Sequence, residues 1–334
     1  TFQSMSYTIE VYWGRQPPER HFGIYSLYVL FFPQMVAGPI ERPQNILHQL
    51  REPKVFDTDQ FASGLRLILW GLFKKSVLAD NLSVVSDATW NDPKAAGGGL
   101  ILGAVAFSFQ ILCDFSGYSD MARGSARCLG IDLMRNFDRP YVSSSITEFW
   151  RRWHISLSTW FRDYLYIPLG GSRVAPLRRD ANLVIVFAVS GFWHGADWAF
   201  VLWGFLHGAM LVFEHRTGLS KVSRGAILRQ LVTFSIVTLA WVFFRAGTLP
   251  SAAGWFERLT RPSEGWLPPI SPWSLLLPCG LAFVAWIESR RDKDLFKRWF
   301  GMATSGRLAV LALFALVIFI FGRFDARNFI YFQF

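Results

Sequence analysis

Apolar residues along this chain come in long blocks and do not alternate with polar ones. Charge-poor blocks cover residues 97 to 113, 181 to 213, 230 to 244, 266 to 287 and 308 to 322. A helix needs about 20 residues to cross a bilayer core, fewer when its ends snorkel, so the pattern predicts an all-α, polytopic membrane bundle. A single such block would be an anchor; a series of them makes the membrane the solvent for the fold. No internal repeat, low-complexity tract or domain boundary interrupts the series, so residues 1 to 334 are read as one transmembrane domain.

The block from 181 to 213 does not fit a simple crossing. Asp197 is its only full charge, yet Arg173, Arg178 and Arg179 precede it and a basic run follows it, which puts both ends on one side. The stretch before His194 reaches only about 20 Å at 1.5 Å per residue, short of a core of about 30 Å. The segment is therefore predicted to enter, break near Gly191 and Gly195, and return. Irregular backbone at membrane depth survives only against protein or a water-filled cavity, which places His194 at a turn beside one.

Two further segments are irregular. Ser145 and Glu148 form a capping box ahead of Trp150, Trp153, Leu157 and Trp160 at helical spacing, predicting one amphipathic helix over 145 to 160. Pro33, Gly38, Pro39 and Pro43 in an apolar setting predict a re-entrant or broken element over 31 to 43.

Loop charges orient the series. The run 215 to 229 carries Arg216, Lys221, Arg224 and Arg229 without an acid, and 290 to 298 is also basic, whereas 246 to 265 balances its charges. The positive-inside rule assigns the first two to the cytoplasm and the third to the outside, with 80 to 96 outside and 123 to 139 inside. The chain opens at Thr1 inside a stretch that reads as the end of a helix, so further spans are expected before it.

Composition agrees with this reading. Of 334 residues, 52% are hydrophobic and 17% charged, against about 25% charged in a soluble domain. The net charge of +10 lies in short runs between apolar blocks and serves orientation, so no nucleic-acid partner is expected. Cys113, Cys128 and Cys279 are far apart and lack metal-ligand spacing, so no disulfide framework and no metal site is predicted. The signatures of hydrolase elbows, phosphate loops, zinc proteases and dinucleotide folds are missing.

Chemistry concentrates on histidine. His194, in GFWHGADW, is an ionisable group in an apolar block, where such groups are functional by default, and an imidazole is the usual general base near neutrality. The plainer alternative is a histidine bonded to a neighbouring helix or to Asp197. His154, on the tryptophan-rich 145 to 160 segment, is the second candidate, against an interfacial role at the headgroups. His207 reads as packing or interhelical glue. Asp114 and Ser116 either cap a following helix or line a polar funnel, and Lys74 and Lys75 are expected to end a helix and snorkel.

The stretches FFPQMVAGPIERP, GLFKKSVLADN, the block from Asp114 to Arg173, VSGFWHGADWAFVLWGFLHG and the closing FIYFQF together resemble the membrane-bound O-acyltransferase family, in its bacterial alginate O-acetyltransferase branch. The resemblance implies a multi-helix fold around a central chamber in the bacterial inner membrane. An acyl donor, an acetyl thioester or acyl carrier, would reach the chamber from one side and a hydroxyl acceptor from the other. It places the family's near-invariant histidine at His194 and a second characteristic position at His154; separately, Asp197, three residues after His194, is expected to hold the imidazole tautomer. No bound cofactor is expected. Lipid, a polysaccharide or acyl-relay acceptor and extracytoplasmic acetylation proteins are the implied partners. Three alternatives stay open: an acyl conduit feeding a separate periplasmic transferase, O-acylation of another polymer such as teichoic acid, and a scaffold that tolerates loss of both histidines.

Overall fold

The computed structural model describes residues 2–35, 38–219, 226–262, 280–281 and 304–324. The basic run 290 to 298, most of the block 266 to 287, Cys279 and the closing FIYFQF lie outside the described residues. Every regular element among the described residues is helical.

Three helices open the chain: α1 (Phe2–Tyr12), α2 (Phe22–Leu30) and α3 (Pro43–Arg51). The expected break over 31 to 43 is present, as a 3-10 turn at Phe32–Gln34, with residues 38–42 outside any helix before α3 begins at Pro43. Tyr28, Ile46 and Leu47 close a small core there, and the Tyr28 hydroxyl donates to the Glu41 carbonyl at 3.2 Å.

A long composite helix follows. Asp57 caps α4 (Thr58–Leu72), which widens into a π-helical segment (Phe73–Ala79) and runs on as α5 (Asp80–Asn91). It packs antiparallel to α6 (Gly97–Cys128), which at 32 residues is about 48 Å long. Glycines set this crossing. Gly71 faces Gly117 and Gly64 faces Gly124, and a Cβ on Gly71 would lie 2.4 Å from the Gly117 carbonyl oxygen. Close backbone approach through small residues is how membrane helices gain packing when lipid competes equally for apolar side chains.

This approach overturns the expectation for Lys74, Lys75, Asp114 and Ser116. The helix does not end at the lysines but continues through a π segment, the kind of ladder distortion that recurs at functional positions. Lys74 is 1% exposed and donates to Ser116 Oγ at 2.9 Å and Asp120 Oδ2 at 2.8 Å. Lys75 bridges Asp80 and Asp114, each at 2.8 Å. Asp114 and Ser116 thus stand mid-helix in a buried ionic lattice, as neither helix caps nor a funnel lining. Buried charge is stable only when paired, and three cations here (Lys74, Lys75, Arg123) meet three carboxylates (Asp80, Asp114, Asp120).

The 181 to 213 block is a helical hairpin, α9 (Pro176–His194) and α10 (Trp198–Thr217), turned at residues 195 to 197. The break falls where expected, and both ends do lie together, since Arg216 bonds Asp180 at 2.5 Å. The expected shortness is corrected. The helix starts at Pro176 and takes Arg178, Arg179 and Asp180 into its first turns, so α9 is 19 residues and about 28 Å long. The two helices meet through glycine again, with a Cβ on Gly191 falling 2.2 Å from the Phe200 carbonyl oxygen.

The last described elements are α11 (Ala226–Ala246), α12 (Leu249–Leu259) and α13 (Thr304–Phe321). Among the described residues α6 and α11 are long and apolar enough to cross a membrane. The end of α11 meets the hairpin turn through Phe244, whose ring lies 5.2 Å from His194 and 5.4 Å from Phe200, and Arg245 pairs with Asp87. Residues 144, 180, 216 and 229 group at the opposite end, where Arg229 donates to the Ser144 carbonyl at 3.2 Å. This is the two-ended grouping that the loop charges predict.

Candidate active site

The segment 145 to 160 is two short helices, α7 (Ile146–Arg152) and α8 (Ile155–Phe161), and not the single amphipathic helix predicted. The chain breaks at His154, whose φ of +42° lies in the left-handed region that non-glycine residues seldom occupy. Such a conformation persists only where its surroundings hold it in place. Asn136 does so: its side-chain oxygen accepts from the Ser156 N–H at 3.2 Å and the Ser156 hydroxyl at 2.8 Å, while its carbonyl accepts from the Ile155 N–H at 2.9 Å.

The same Asn136 oxygen lies 3.2 Å from His154 Nδ1. Because the Ser156 N–H can only donate, the atom it meets is oxygen, and His154 Nδ1 must therefore carry a proton to bond it. In the neutral ring that leaves Nε2 as the basic nitrogen. The imidazole is 4% exposed and stands edge-on to Phe115 at 4.7 Å between ring centroids. Phe115 is flanked on α6 by Asp114 and Ser116, so the buried ionic lattice backs the wall against which His154 rests.

The start of α7 is tied twice. Ser145 Oγ accepts from the Glu148 N–H at 3.0 Å, the first half of the predicted capping box. The second half is shifted by one residue, because the Glu148 carboxylate takes the Ser144 N–H at 2.8 Å. Burial opposes charge on Glu148, but the Ser144 N–H and hydroxyl together with Arg152 outweigh it and hold the carboxyl below its usual range. Glu214 of α10, buried, accepts from the Ile146 N–H at 2.5 Å and the Thr147 N–H at 2.9 Å, setting a carboxylate on the positive end of α7. One helical pitch and more up α10, His207 Nδ1 accepts from Trp150 Nε1 at 3.2 Å. His207 thus links α10 to α7, the interhelical role expected of it.

His194 ends α9, half-buried, with its ring 4.7 Å from Trp193, 5.3 Å from Trp203 and 5.2 Å from Phe244. Trp203 stacks on Trp241 at 5.6 Å, and Trp241 contacts Trp153 at 5.0 Å, the residue before His154. One wall of indoles therefore runs from one histidine to the other. Asp197 caps α10, its carboxylate accepting the Ala199 N–H at 2.8 Å.

A cavity of about 400 Å³ opens between α7–α8 and α9. Trp150, Leu157, Val186 and Phe187 give it an apolar lining, with Arg151 and Arg162 at its polar parts. Its lining reaches Ser190, one turn before His194 on α9, but not His194 itself.

Residues 21–237 match the family model for MBOAT, the membrane-bound O-acyltransferase family. The chain belongs to the membrane-bound O-acyltransferase family. It is 40% identical over 260 residues to a protein of Pseudomonas aeruginosa described as a probable alginate O-acetylase AlgI, covering 78% of this chain and 50% of the relative. It is 44% identical over 241 residues to a peptidoglycan O-acetyltransferase of Helicobacter pylori, covering 70% and 45%. A teichoic acid D-alanyltransferase of Streptococcus thermophilus is 28% identical over 275 residues, covering 73% and 66%. The chain spans about half the length of the alginate and peptidoglycan relatives it matches. The family is membrane-bound and transfers acyl groups to oxygen, so the α-helical membrane architecture is that of this family.

Sequence reasoning did not find Asn136, Glu214 or Trp203. Asn136 precedes Phe137 and Asp138 in an ordinary-looking loop, and Glu214 looks like one charge in a basic run. No spacing rule could have linked either to residue 154 or 146.

Proposed function

We propose that the protein is a multi-pass inner-membrane O-acyltransferase that moves an acetyl group from an activated donor to hydroxyls of an exported polysaccharide of the alginate type. The observation that carries the proposal is the convergence of His194 and His154, from separate elements, on one aromatic wall. His194 acts as general base: it takes the proton from the acceptor hydroxyl as the oxygen attacks the acyl carbon, then returns it to the leaving group. His154, with Nε2 basic and its ring immobilised, orients the acceptor. A positioned base contributes about 10²- to 10⁴-fold in rate. The cavity between α8 and α9 supports an approach path that ends one helical turn from His194.

The identity to alginate O-acetylases supports alginate as the acceptor, and extracytoplasmic acetylation proteins are the partners that the family resemblance implies. A second reading, a cell-wall acceptor, is favoured by the peptidoglycan and teichoic acid relatives. The test is the acetyl content of exported polymer in cells carrying the full-length protein with His194→Ala or His154→Ala. Acetylation should fall at least a hundredfold for the first. A His194→Ala protein that is folded in the membrane and acetylates normally removes the base from the mechanism.

A further inference from the structure

Every tryptophan indole carries one N–H that can only donate, and a buried donor left without an acceptor costs about what a lost hydrogen bond costs. In the aromatic wall, Trp150 Nε1 is placed on His207 and Trp241 Nε1 donates to the Tyr141 hydroxyl at 3.1 Å. Trp203 is different. It is 1% exposed, and its Nε1–H has no acceptor among the described residues. Its ring stands edge-to-face with His194 at 5.3 Å, closed in by Trp241 and Phe244.

A second such donor lies one helical turn away. Trp150 donates to His207 Nδ1, so Nδ1 holds the lone pair and the neutral ring carries its proton on Nε2. His207 is also 1% exposed, and Nε2 likewise has no acceptor among the described residues. The two rings are 5.1 Å apart on one face of α10. Two buried N–H groups without an acceptor among the described residues, one of them on the ring that meets His194, are available to an oxygen that arrives with the substrate.

We propose that Trp203 is a catalytic residue whose Nε1–H binds the acyl carbonyl oxygen, with the His207 Nε2–H as its supporting donor. The inference rests on the assignment of His194 as the base. As the acceptor O–H passes its proton to His194, its oxygen forms a bond to the acyl carbon and the carbonyl π pair moves onto the carbonyl oxygen. That oxyanion is held by the Trp203 N–H. When the pair returns, the bond from carbon to the thioester sulfur breaks, and the thiolate takes the proton back from His194. Donors fixed in a water-poor aromatic setting stabilise developing charge without reorganising at the moment of reaction, and they act more strongly on the oxyanion than on the neutral carbonyl.

The decisive variant is Trp203→Phe in the full-length protein, assayed in membranes with radiolabelled acetyl-coenzyme A as the thioester probe and polymer as acceptor. We expect kcat per folded protein to fall about 10²- to 10³-fold with KM little changed, while the smaller ring leaves a cavity that lowers thermal stability modestly. A packing role alone predicts the same loss of stability with normal turnover in whatever remains folded. If Trp203→Phe does not fold, benzothienylalanine at position 203 keeps the shape and removes only the N–H, and the same loss of kcat is expected. Turnover within threefold of wild type for either variant, alongside an inactive His194→Ala protein, overturns the Trp203 assignment alone and leaves a structural water as what the two donors hold. An active His194→Ala protein would instead defeat the general-base reading on which the inference stands.

Discussion

Lys74→Met tests whether the ionic lattice between the composite helix and α6 holds the fold together. The methionine is close to isosteric with the lysine stem, so the change removes charge and hydrogen bonds with little change in volume. Lys74 is 1% exposed and makes two short contacts, to Asp120 at 2.8 Å and Ser116 at 2.9 Å. Breaking a buried pair by removing one partner costs about 3 to 5 kcal/mol, because the remaining charge stays buried. Arg123, 3.3 Å from the other oxygen of Asp120, remains and compensates in part, which places the expectation near the lower end, about 3 kcal/mol. At about 2 to 4 °C per kcal/mol for larger domains, the melting temperature in detergent should fall by about 6 to 12 °C. Removing both charges together, Lys74→Met with Asp120→Asn, should restore at least half of that loss, since the buried carboxylate is neutralised and Arg123, which it also served, is 20% exposed and can reach water. The assay is thermal unfolding of purified protein followed by size-exclusion chromatography. A double variant that is less stable than the Lys74→Met protein by the full cost of a second lesion would refute the argument that pairing, and not each residue's separate packing, is what matters.

Three other outcomes follow from the geometry. Gly191→Ala should destabilise by about 3 kcal/mol and abolish acylation, because the added methyl meets the Phe200 carbonyl oxygen at 2.2 Å and forces the hairpin apart beside His194; normal acetylation by this variant would contradict the packing described. Asn136→Ala should lower turnover at least tenfold, with a cost of about 1 to 3 kcal/mol from the orphaned Ser156 N–H, while Asn136→Asp should retain more activity because an oxygen acceptor remains; equal activities for the two variants would count against the clamp. Glu148 has its folded pKa depressed, so its charged form contributes stability that is present above the unfolded value of about 4.5 and is lost as pH falls through the lower folded value. Glu148→Gln should therefore cost roughly 0.5 to 1 kcal/mol at neutral pH and nothing at strongly acidic pH, and a difference that is flat across pH in chemical denaturation would reverse the assignment.

Much of this protein was written in local order. Block hydrophobicity needs no tertiary information, because a helix in lipid must satisfy its own backbone and be apolar along its length, so α6, α11, α13 and the hairpin could all be read from spacing. The break before Asp197 was legible for the same reason, since Gly195 and a capping Asp cannot continue a helix comfortably. His194 and His154 stood out because an ionisable group among tryptophans is costly and must be explained.

What the tertiary structure alone decided is which partner each polar group meets. Lys74 and Lys75 look like snorkelling residues by position, and only the glycine seam of α4 against α6 turns them inward onto Asp120 and Asp114. The 145 to 160 segment has unbroken helical periodicity, yet it breaks at His154 because Asn136, 18 positions earlier, offers its oxygen to backbone and ring together. Glu214 caps a helix 68 positions away. Periodicity reports which face of an element is apolar, whereas a hydrogen bond between distant residues depends on where two backbones are brought within 3 Å, and that distance is set by the packing of the whole bundle.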